Sequence, residues 1–326
     1  MAPDALPPRR ARPDDPLISV VVPVYDEAEA VMPCLDRLAP VLAPFRHEIV
    51  FVNDGSRDGT LSVLLGAARH IPALRIVNLS RNFGKEAAMT AGIDQARGDA
   101  LVIMDVDGQD PPELVRDFVA RWREGYDIVY GLRASRASDG RLKRVSAGLF
   151  YRFYNRIAET DIPAHVGDFR LIDRRVADAL KQLPERGRFM KGLFAWVGFA
   201  STAVPFERAP RQAGRTKWNY WRLWNFALDG IVSFSSAPLR IWTYIGGAVA
   251  GFAVLYALAI AVRTIFFGID VPGYASLIIV LLLSTALNLT SLGIIGEYVS
   301  RLFVEAKARP LYLIEGVYSG SDTSWT

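Results

Sequence analysis

Through the first 131 positions, apolar residues come in short and nearly continuous runs, each followed by a turn and then by a stretch with apolar residues at helical spacing. The runs 18–23, 48–53, 74–79, 100–104 and 127–130 are rich in Val and Ile, the composition of strands buried on both faces. Between them, 28–42, 60–68, 85–96 and 112–122 read as helices, the last opened by Pro111 and Pro112 after Asp110. This β/α alternation predicts a mostly parallel sheet with helices on both faces, a three-layer sandwich of the α/β class. Ligands of such sheets gather at the carboxyl ends of the strands, where Asp26, Asp54, Asn82 and Asp105 all fall.

Beyond 131 the pattern changes. An Arg-rich stretch runs to Arg144, a helix is predicted over 145–158, and a second α/β portion continues to Arg208, so that 132–214 is expected to form the acceptor side of the catalytic domain begun at 17–131. Over 215–238, Trp218, Trp221 and Trp224 recur every third residue with Arg222 among them, which suits amphipathic helices lying in a membrane interface. The runs 241–262 and 271–296 carry no charge. At about 1.5 Å per residue, each is long enough for a hydrocarbon core of about 30 Å. Joined by 263–270, they predict a transmembrane hairpin within 239–300. Arg222 and Arg240 precede it and Arg301, Lys307 and Arg309 follow it, while the connection holds only Arg263, so both termini are expected in the cytoplasm of a multi-pass inner-membrane protein. The tail 1–16 is rich in Pro, Arg and Asp, lacks the apolar core of a signal peptide and is expected to be disordered. In the C-terminal tail, 301–326, the stretch 309–316 is a candidate edge strand for pairing with another subunit.

Composition adds less. A formal charge of +4 suits anionic partners and selects none of them. The single cysteine, Cys34, excludes an intrachain disulfide framework and Cys-rich zinc sites, which suits a reducing compartment. His47, His70 and His165 are too scattered for a histidine metal site, and there is no Gly-x-Ser-x-Gly elbow for a serine hydrolase. Neither a Gly-x-Gly-x-x-Gly turn after the first strand nor a P-loop is present, so dinucleotide and P-loop readings lose their support.

The most informative segment is 105–112, Asp-Val-Asp-Gly-Gln-Asp-Pro-Pro, directly after an apolar run. Carboxylates two apart on an extended chain point to one side, so Asp105 and Asp107 can share a hard cation, Mg2+ or Mn2+, that also holds substrate phosphates. In a nucleotide-sugar reaction such a cation neutralises the departing diphosphate. The turn 54–60 suits hydrogen bonds from Asp54 to a base or ribose, or equally a plain turn with a helix cap.

Six segments stand in order along the chain: Val22-Pro23-Val24-Tyr25-Asp26-Glu27, Asn53-Asp54-Gly55-Ser56, Ser80 to Glu86, Asp105 to Pro112, Gly167-Asp168-Phe169-Arg170-Leu171 and Arg215-Thr216-Lys217-Trp218. In these the chain resembles glycosyltransferase family 2, in the subgroup of dolichyl-phosphate mannose synthases and bacterial polyprenyl-phosphate glycosyltransferases. The resemblance implies a GT-A fold, with Pro23, Tyr25, Glu27, Asp54, Asn82 and Lys85 around the nucleotide-sugar, Asp105 and Asp107 near its diphosphate and the metal, and Gln109 close to the sugar. It implies Asp168 as the catalytic base, a homotetramer, and a best guess of UDP-glucose and undecaprenyl phosphate as donor and acceptor. Asp26 stands where many relatives have Asn.

A phosphate monoester has a second pKa of about 6 and is largely ionised near neutrality, so an acceptor of this kind needs little proton removal. Orientation and charge control matter more. Arg133, Arg136, Arg211 and Lys217 are expected either to hold the acceptor phosphate in line for an inverting displacement at the anomeric carbon or to form a solvated, lipid-facing surface. A processive polysaccharide synthase is disfavoured by the lack of Gln-x-x-Arg-Trp. A glycolipid synthase with a hydroxyl acceptor, a GDP-mannose-dependent mannosyltransferase and a nucleotide-binding membrane scaffold without activity are rival readings of the same residues. No nucleic-acid partner is expected.

Overall fold

A computed structural model describes residues 11–133, 166–207, 237–267 and 273–320. The first five strands are β1 (Leu17–Val24), β2 (Arg46–Asn53), β3 (Leu74–Leu79), β4 (Ala100–Ile103) and β5 (Ile128–Arg133). Between them lie α1 (Ala28–Leu42), α2 (Thr60–Ala68), α3 (Lys85–Gln95) and α4 (Leu114–Arg123). Then follow β6 (Val166–Asp173), α5 (Arg174–Gln182), α6 (Met190–Trp196), β7 (Ser201–Phe206), α7 (Ala237–Phe267), α8 (Tyr274–Ala306) and β8 (Ile314–Ser319). The strands form one sheet in the order β7-β5-β6-β4-β1-β2-β3-β8.

The expected α/β sandwich is present. Alternate residues of each strand face opposite layers, so Val20, Val22 and Val24 of β1 pack with the apolar sides of α1, α2 and α4, while Val21 packs with α3, α5 and α6. In α4, Val115, Phe118, Val119 and Trp122 form one buried stripe at helical spacing. Such fully buried side chains contribute about 1.5–3 kcal/mol each. Helix α4 starts two residues later than predicted, because the N–H groups of Leu114 and Val115 close short turns on the carbonyls of Pro111 and Pro112. Strands β1 to β4 are mutually parallel where they pair, but β6 runs antiparallel to both β4 and β5, which makes the sheet mixed. Strand β5 crosses the expected boundary at 131 and also pairs with β7, so the portions on either side of that boundary share one sheet.

One expectation is corrected at the N-terminal end. Residues 1–10 lie outside the described residues, but Arg12, placed in the disordered tail by its composition, is anchored. It donates to Asp127 Oδ1 at 2.8 Å, to Asp173 Oδ2, and to the carbonyls of Tyr126 and Trp122 at 3.1 and 3.3 Å. A guanidinium with four acceptors and the Trp122 ring 4.9 Å below it is a strong tether for a polar segment. The C-terminal strand, a candidate for pairing with another subunit, pairs antiparallel with β3 of its own chain on one side and is the last strand of the sheet. Strand β3 would otherwise present an open ladder edge, and β8 covers it.

The segment Ile279–Ala306 of α8 is long and apolar enough to cross a membrane, with mean hydropathy 1.9 and none of it buried. At 33 residues, α8 extends roughly 50 Å, beyond the hydrocarbon thickness, so the predicted end at 296 is overrun. The extra turns carry an Arg301–Glu297 pair at 2.9 Å and Glu305, whose Oε1 accepts the N–H groups of Arg186 and Gly187 at 2.7 and 3.0 Å. Helix α7 presents Tyr244, Phe252, Leu255, Ile265 and Phe266 as exposed side chains. The expected interfacial helices over 215–238 lie outside the described residues, save the last two positions, which open α7.

Candidate active site

Parallel pairing aligns Val24 with Asn53, so Tyr25 and Asp54 leave the sheet side by side, and the Asp54 N–H donates to the Val24 carbonyl at 2.9 Å. The Asp54 carboxylate accepts the N–H groups of Phe83 and Gly84 at 2.7 and 2.9 Å. Burial raises its pKa while those two donors pull it back down. Asp54 therefore clasps the β2 loop to the start of α3, and the plain turn function falls to Asp58, whose Oδ1 accepts the Thr60 N–H at 2.9 Å. Gly55 makes the clasp possible. Its φ is +64°, and a Cβ there would lie 2.3 Å from the Arg81 carbonyl carbon. Asp26 also sits in the left-handed region, at φ 51°, with Oδ1 accepting the Arg57 N–H at 2.8 Å. An Asn oxygen would make the same bond in the same conformation.

The centre of the site is an ion cluster drawn from four separate elements. Antiparallel register sets Arg170 of β6 opposite Ile103 of β4, which brings Asp168, two residues before Arg170, level with Asp105, two residues after Ile103. Lys85, the first residue of α3, reaches between them, its Nζ 2.6 Å from Asp105 Oδ1 and 2.6 Å from Asp168 Oδ2. Lys191 of α6 stands 3.9 Å from Asp168 Oδ1, an ionic contact too long for a hydrogen bond. Burial disfavours the charge on Asp168, but Lys85 first and Lys191 second outweigh it and hold the carboxyl well below its usual range. Lys85 is likewise opposed by burial and held well above the usual lysine range by Asp105 and then Asp168. Its side chain is 40% accessible, so the cluster is open to a ligand.

Around this cluster lie further titratable groups. Burial, then repulsion from Asp168, push Glu86 up to about 7, even though its Oε2 accepts the Met190 N–H at 3.1 Å. Arg170 is pushed down to about 10 by burial; it donates to the Gly167 carbonyl at 2.7 Å and stacks on Phe194 at 4.0 Å. Cys34, buried in α1, is an inert thiol pushed up to about 12 chiefly by burial.

The acidic pair after β4 is not extended as expected. Asp107 Oδ1 accepts the Gln109 N–H at 3.1 Å, an Asx turn, and Gly108 follows at φ 72° with its carbonyl held by Arg37 at 2.9 Å. The turn tucks Asp107 into the protein at 8% accessibility, while Asp105 faces Lys85. Among the described residues no three His, Cys, Asp or Glu side chains come close enough to hold a metal by themselves. Such a donor set fits a cation that takes its other ligands from phosphate oxygens, the usual situation of Mg2+. Among the described residues, Lys85, Lys191 and Arg170 supply the positive charge that faces Asp105 and Asp168.

Of the remaining expected site residues, Pro23 is partly buried at the end of β1, Tyr25, Glu27 and Gln109 are partly buried on the strand-end loops, and Asn82 is exposed beside them. Arg133 ends β5, whereas Arg136, Arg211 and Lys217 fall outside the described residues. Lys191 carries no signal in the sequence. It lies in no motif, and only the packing of α6 beside α3 carries it to Asp168.

Residues 19–181 match the model of the family described as glycosyl transferase family 2. An uncharacterised glycosyltransferase of Synechocystis is 52% identical over 303 residues, covering 92% of this chain and 95% of its own. The bactoprenol glucosyl transferase of Shigella phage SfV is 45% identical, covering 91% and 98%; the prophage-derived enzyme of that description in Shigella flexneri is 44% identical, covering 93% and 99%. Among solved structures, a mannosyltransferase of Pyrobaculum calidifontis in complex with GDP-mannose and Mn2+ aligns with a TM-score of 0.50 at 19% identity, over 92% of this chain and 90% of that one. At that identity the likeness speaks for the fold alone, a GT-A-type α/β sandwich.

Proposed function

The chain belongs to glycosyl transferase family 2, and from that premise we propose that it transfers a hexose from a nucleotide-sugar to a polyprenyl phosphate at a membrane surface. The donor that fits best is UDP-glucose and the acceptor undecaprenyl phosphate, in line with relatives named bactoprenol glucosyl transferases that match nearly end to end. Asp105 and Asp107 would hold a divalent cation, Mg2+ or Mn2+, which when bound would supply Lewis-acid neutralisation of the departing diphosphate. Lys85 adds a fixed positive charge at the same edge.

The observation that carries the acceptor class is the ion cluster at Asp168. A carboxylate held well below its usual range by Lys85 and Lys191 is a poor base for an alcohol, because an efficient general base has a pKa near the working pH. A phosphate monoester needs no such base. Asp168 then orients the lysines and the incoming nucleophile, while Lys191, with Arg133 and the expected Arg136, Arg211 and Lys217, offsets its repulsion of the dianion. This disfavours the glycolipid synthase with a hydroxyl acceptor.

The exposed apolar faces of α7 and α8 support a transmembrane hairpin, since solvent would leave side chains such as Phe252 and Leu283 uncovered. The flanking charges orient the catalytic portion and both termini to the cytoplasm. A homotetramer is the family expectation, and the outer edge of β8, the last strand of the sheet, remains a candidate for its contacts. The test is a donor screen with the purified full chain and a short polyprenyl phosphate, read by the mass of the lipid product. A hexosyl phosphoryl lipid formed from UDP-glucose is expected; transfer only to a lipid alcohol, or only from GDP-mannose, would sink the reading.

A further inference from the structure

We propose that a cavity beside the ion cluster is a second anion site, which receives the phosphate group of a membrane lipid. The cavity measures about 260 Å3 and is lined by Phe83 and Glu86 at the start of α3, Arg186 and Arg188 between α5 and α6, Arg301 on α8, and Leu311 beyond it. That is several times the roughly 30 Å3 share of one water molecule, enough for a phosphate and the first atoms attached to it. Two of its walls thus carry three arginines between them, arginine being the side chain whose planar fork matches phosphate oxygens.

Arg188 is the decisive residue. Its terminal nitrogens donate to the carbonyls of Leu180 and Leu183 at 3.3 and 2.9 Å, but Nε is buried with no hydrogen-bond partner. A guanidinium donor left unmet is costly, so Arg188 holds hydrogen-bonding capacity in reserve at the cavity wall. Burial holds Arg188 below its usual range, and Glu185, Asp94 and Glu305 only partly oppose this. Arg186 has Glu305 at 3.8 Å and Arg301 has Glu297 at 2.9 Å, so each keeps a carboxylate partner outside the lining. The lining itself contains one carboxyl, Glu86, pushed up to about 7 and therefore a weak opponent of an anion near neutrality.

Position selects the class of ligand. Arg301 follows the uncharged run that ends at Gly296, and Glu305 binds α8 to the backbone of Arg186 and Gly187, so the cavity sits where the apolar helix meets the catalytic portion. An anion reaching this place from the bilayer side is a lipid phosphate, either the monoester of the polyprenyl acceptor or the diester of a bilayer phospholipid. The inference rests on the membrane reading above and is independent of which sugar is transferred.

The test uses the full chain in non-ionic detergent free of phospholipid, titrated separately with short polyprenyl phosphate and with phosphatidylglycerol, with bound lipid counted by native mass spectrometry. Arg188→Gln is expected to weaken binding of one of the two at least tenfold, and the lipid affected identifies the source. Because Arg188 also ties down its loop, Leu311→Trp, which fills the cavity and leaves every arginine in place, is expected to weaken the same lipid. Lipid binding within twofold of wild type for both lipids in a folded Leu311→Trp chain overturns the proposal, as does wild type that binds neither lipid. Glycosyl product is measured in parallel. Wild type that makes none, while still binding lipid in a manner sensitive to Leu311→Trp, refutes the proposed function and leaves the cavity assignment standing.

Discussion

Strand β6 carries an aspartate near each end, and the two ends of this one strand have opposite fates. At its C-terminal end Asp173 is closed on every side: Oδ1 accepts the N–H and Nε of Arg175 at 2.9 and 3.1 Å, while Oδ2 accepts the Trp122 indole at 2.8 Å and Arg12. Near its N-terminal end, Asp168 binds Lys85 through one oxygen, and among the described residues its other oxygen has only Lys191 at 3.9 Å. The first set is rigid arginine and tryptophan fixed by backbone; the second is flexible lysine with part of its charge accessible. A cluster that saturates its acceptors holds a fold together, whereas one that leaves capacity open toward a cavity is available for a ligand.

The comparison breaks first at Asp168. Asp168→Asn is expected to lower turnover about a thousandfold, roughly 4 kcal/mol in barrier, while donor affinity stays within threefold of wild type. Product formation beside a donor titration decides it, and near-normal turnover would remove Asp168 from the mechanism.

At the other end, Arg12→Ala strips one partner from a buried cluster and is expected to cost about 3 kcal/mol of stability. Denaturant unfolding should show that loss with KM for the donor unchanged. A marked fall in kcat of the folded fraction would mean the two ends of β6 are not independent.

Next in size, Asp107→Ala is expected to weaken metal-dependent donor binding about a hundredfold, and chelator should do the same to wild type. Full activity in chelator would count against a cation in this site.

The smallest effect concerns pH. Glu86 has its folded pKa raised to about 7, above the unfolded value, so folding takes up a proton between about pH 4.5 and 7 and stability falls as pH rises through that window. Glu86→Gln should match wild type near pH 4 and exceed it at pH 8 by a fraction of the roughly 3 kcal/mol that a pKa raised from 4.5 to about 7 sets as a ceiling. Equal unfolding curves at pH 8 would place Glu86 in water.

Local pattern made much of this legible. Helix α1 falls at 28–42 and β3 at 74–79 as the periodicity predicts, because a Val- and Ile-rich run buried on both faces and an apolar stripe at helical spacing each admit one local solution. The motifs also marked Asp105, Asp107 and Asp168 as chemistry. Turn geometry was less legible: the Asx turn at Asp107 depends on a side chain competing with the backbone, which an alternating pattern does not record.

By itself the sequence determined the α/β class, the two uncharged runs and the acidic residues at strand ends, since each follows from neighbours within a few positions. Only the tertiary structure decided that β6 runs backwards beside β4 and so sets Asp168 level with Asp105, that Lys85 bridges them, that β8 caps β3, and that Arg12 is a tether. Each of those joins residues tens to hundreds of positions apart, and such contacts are chosen by packing of the whole sheet, not by the local preference of any segment.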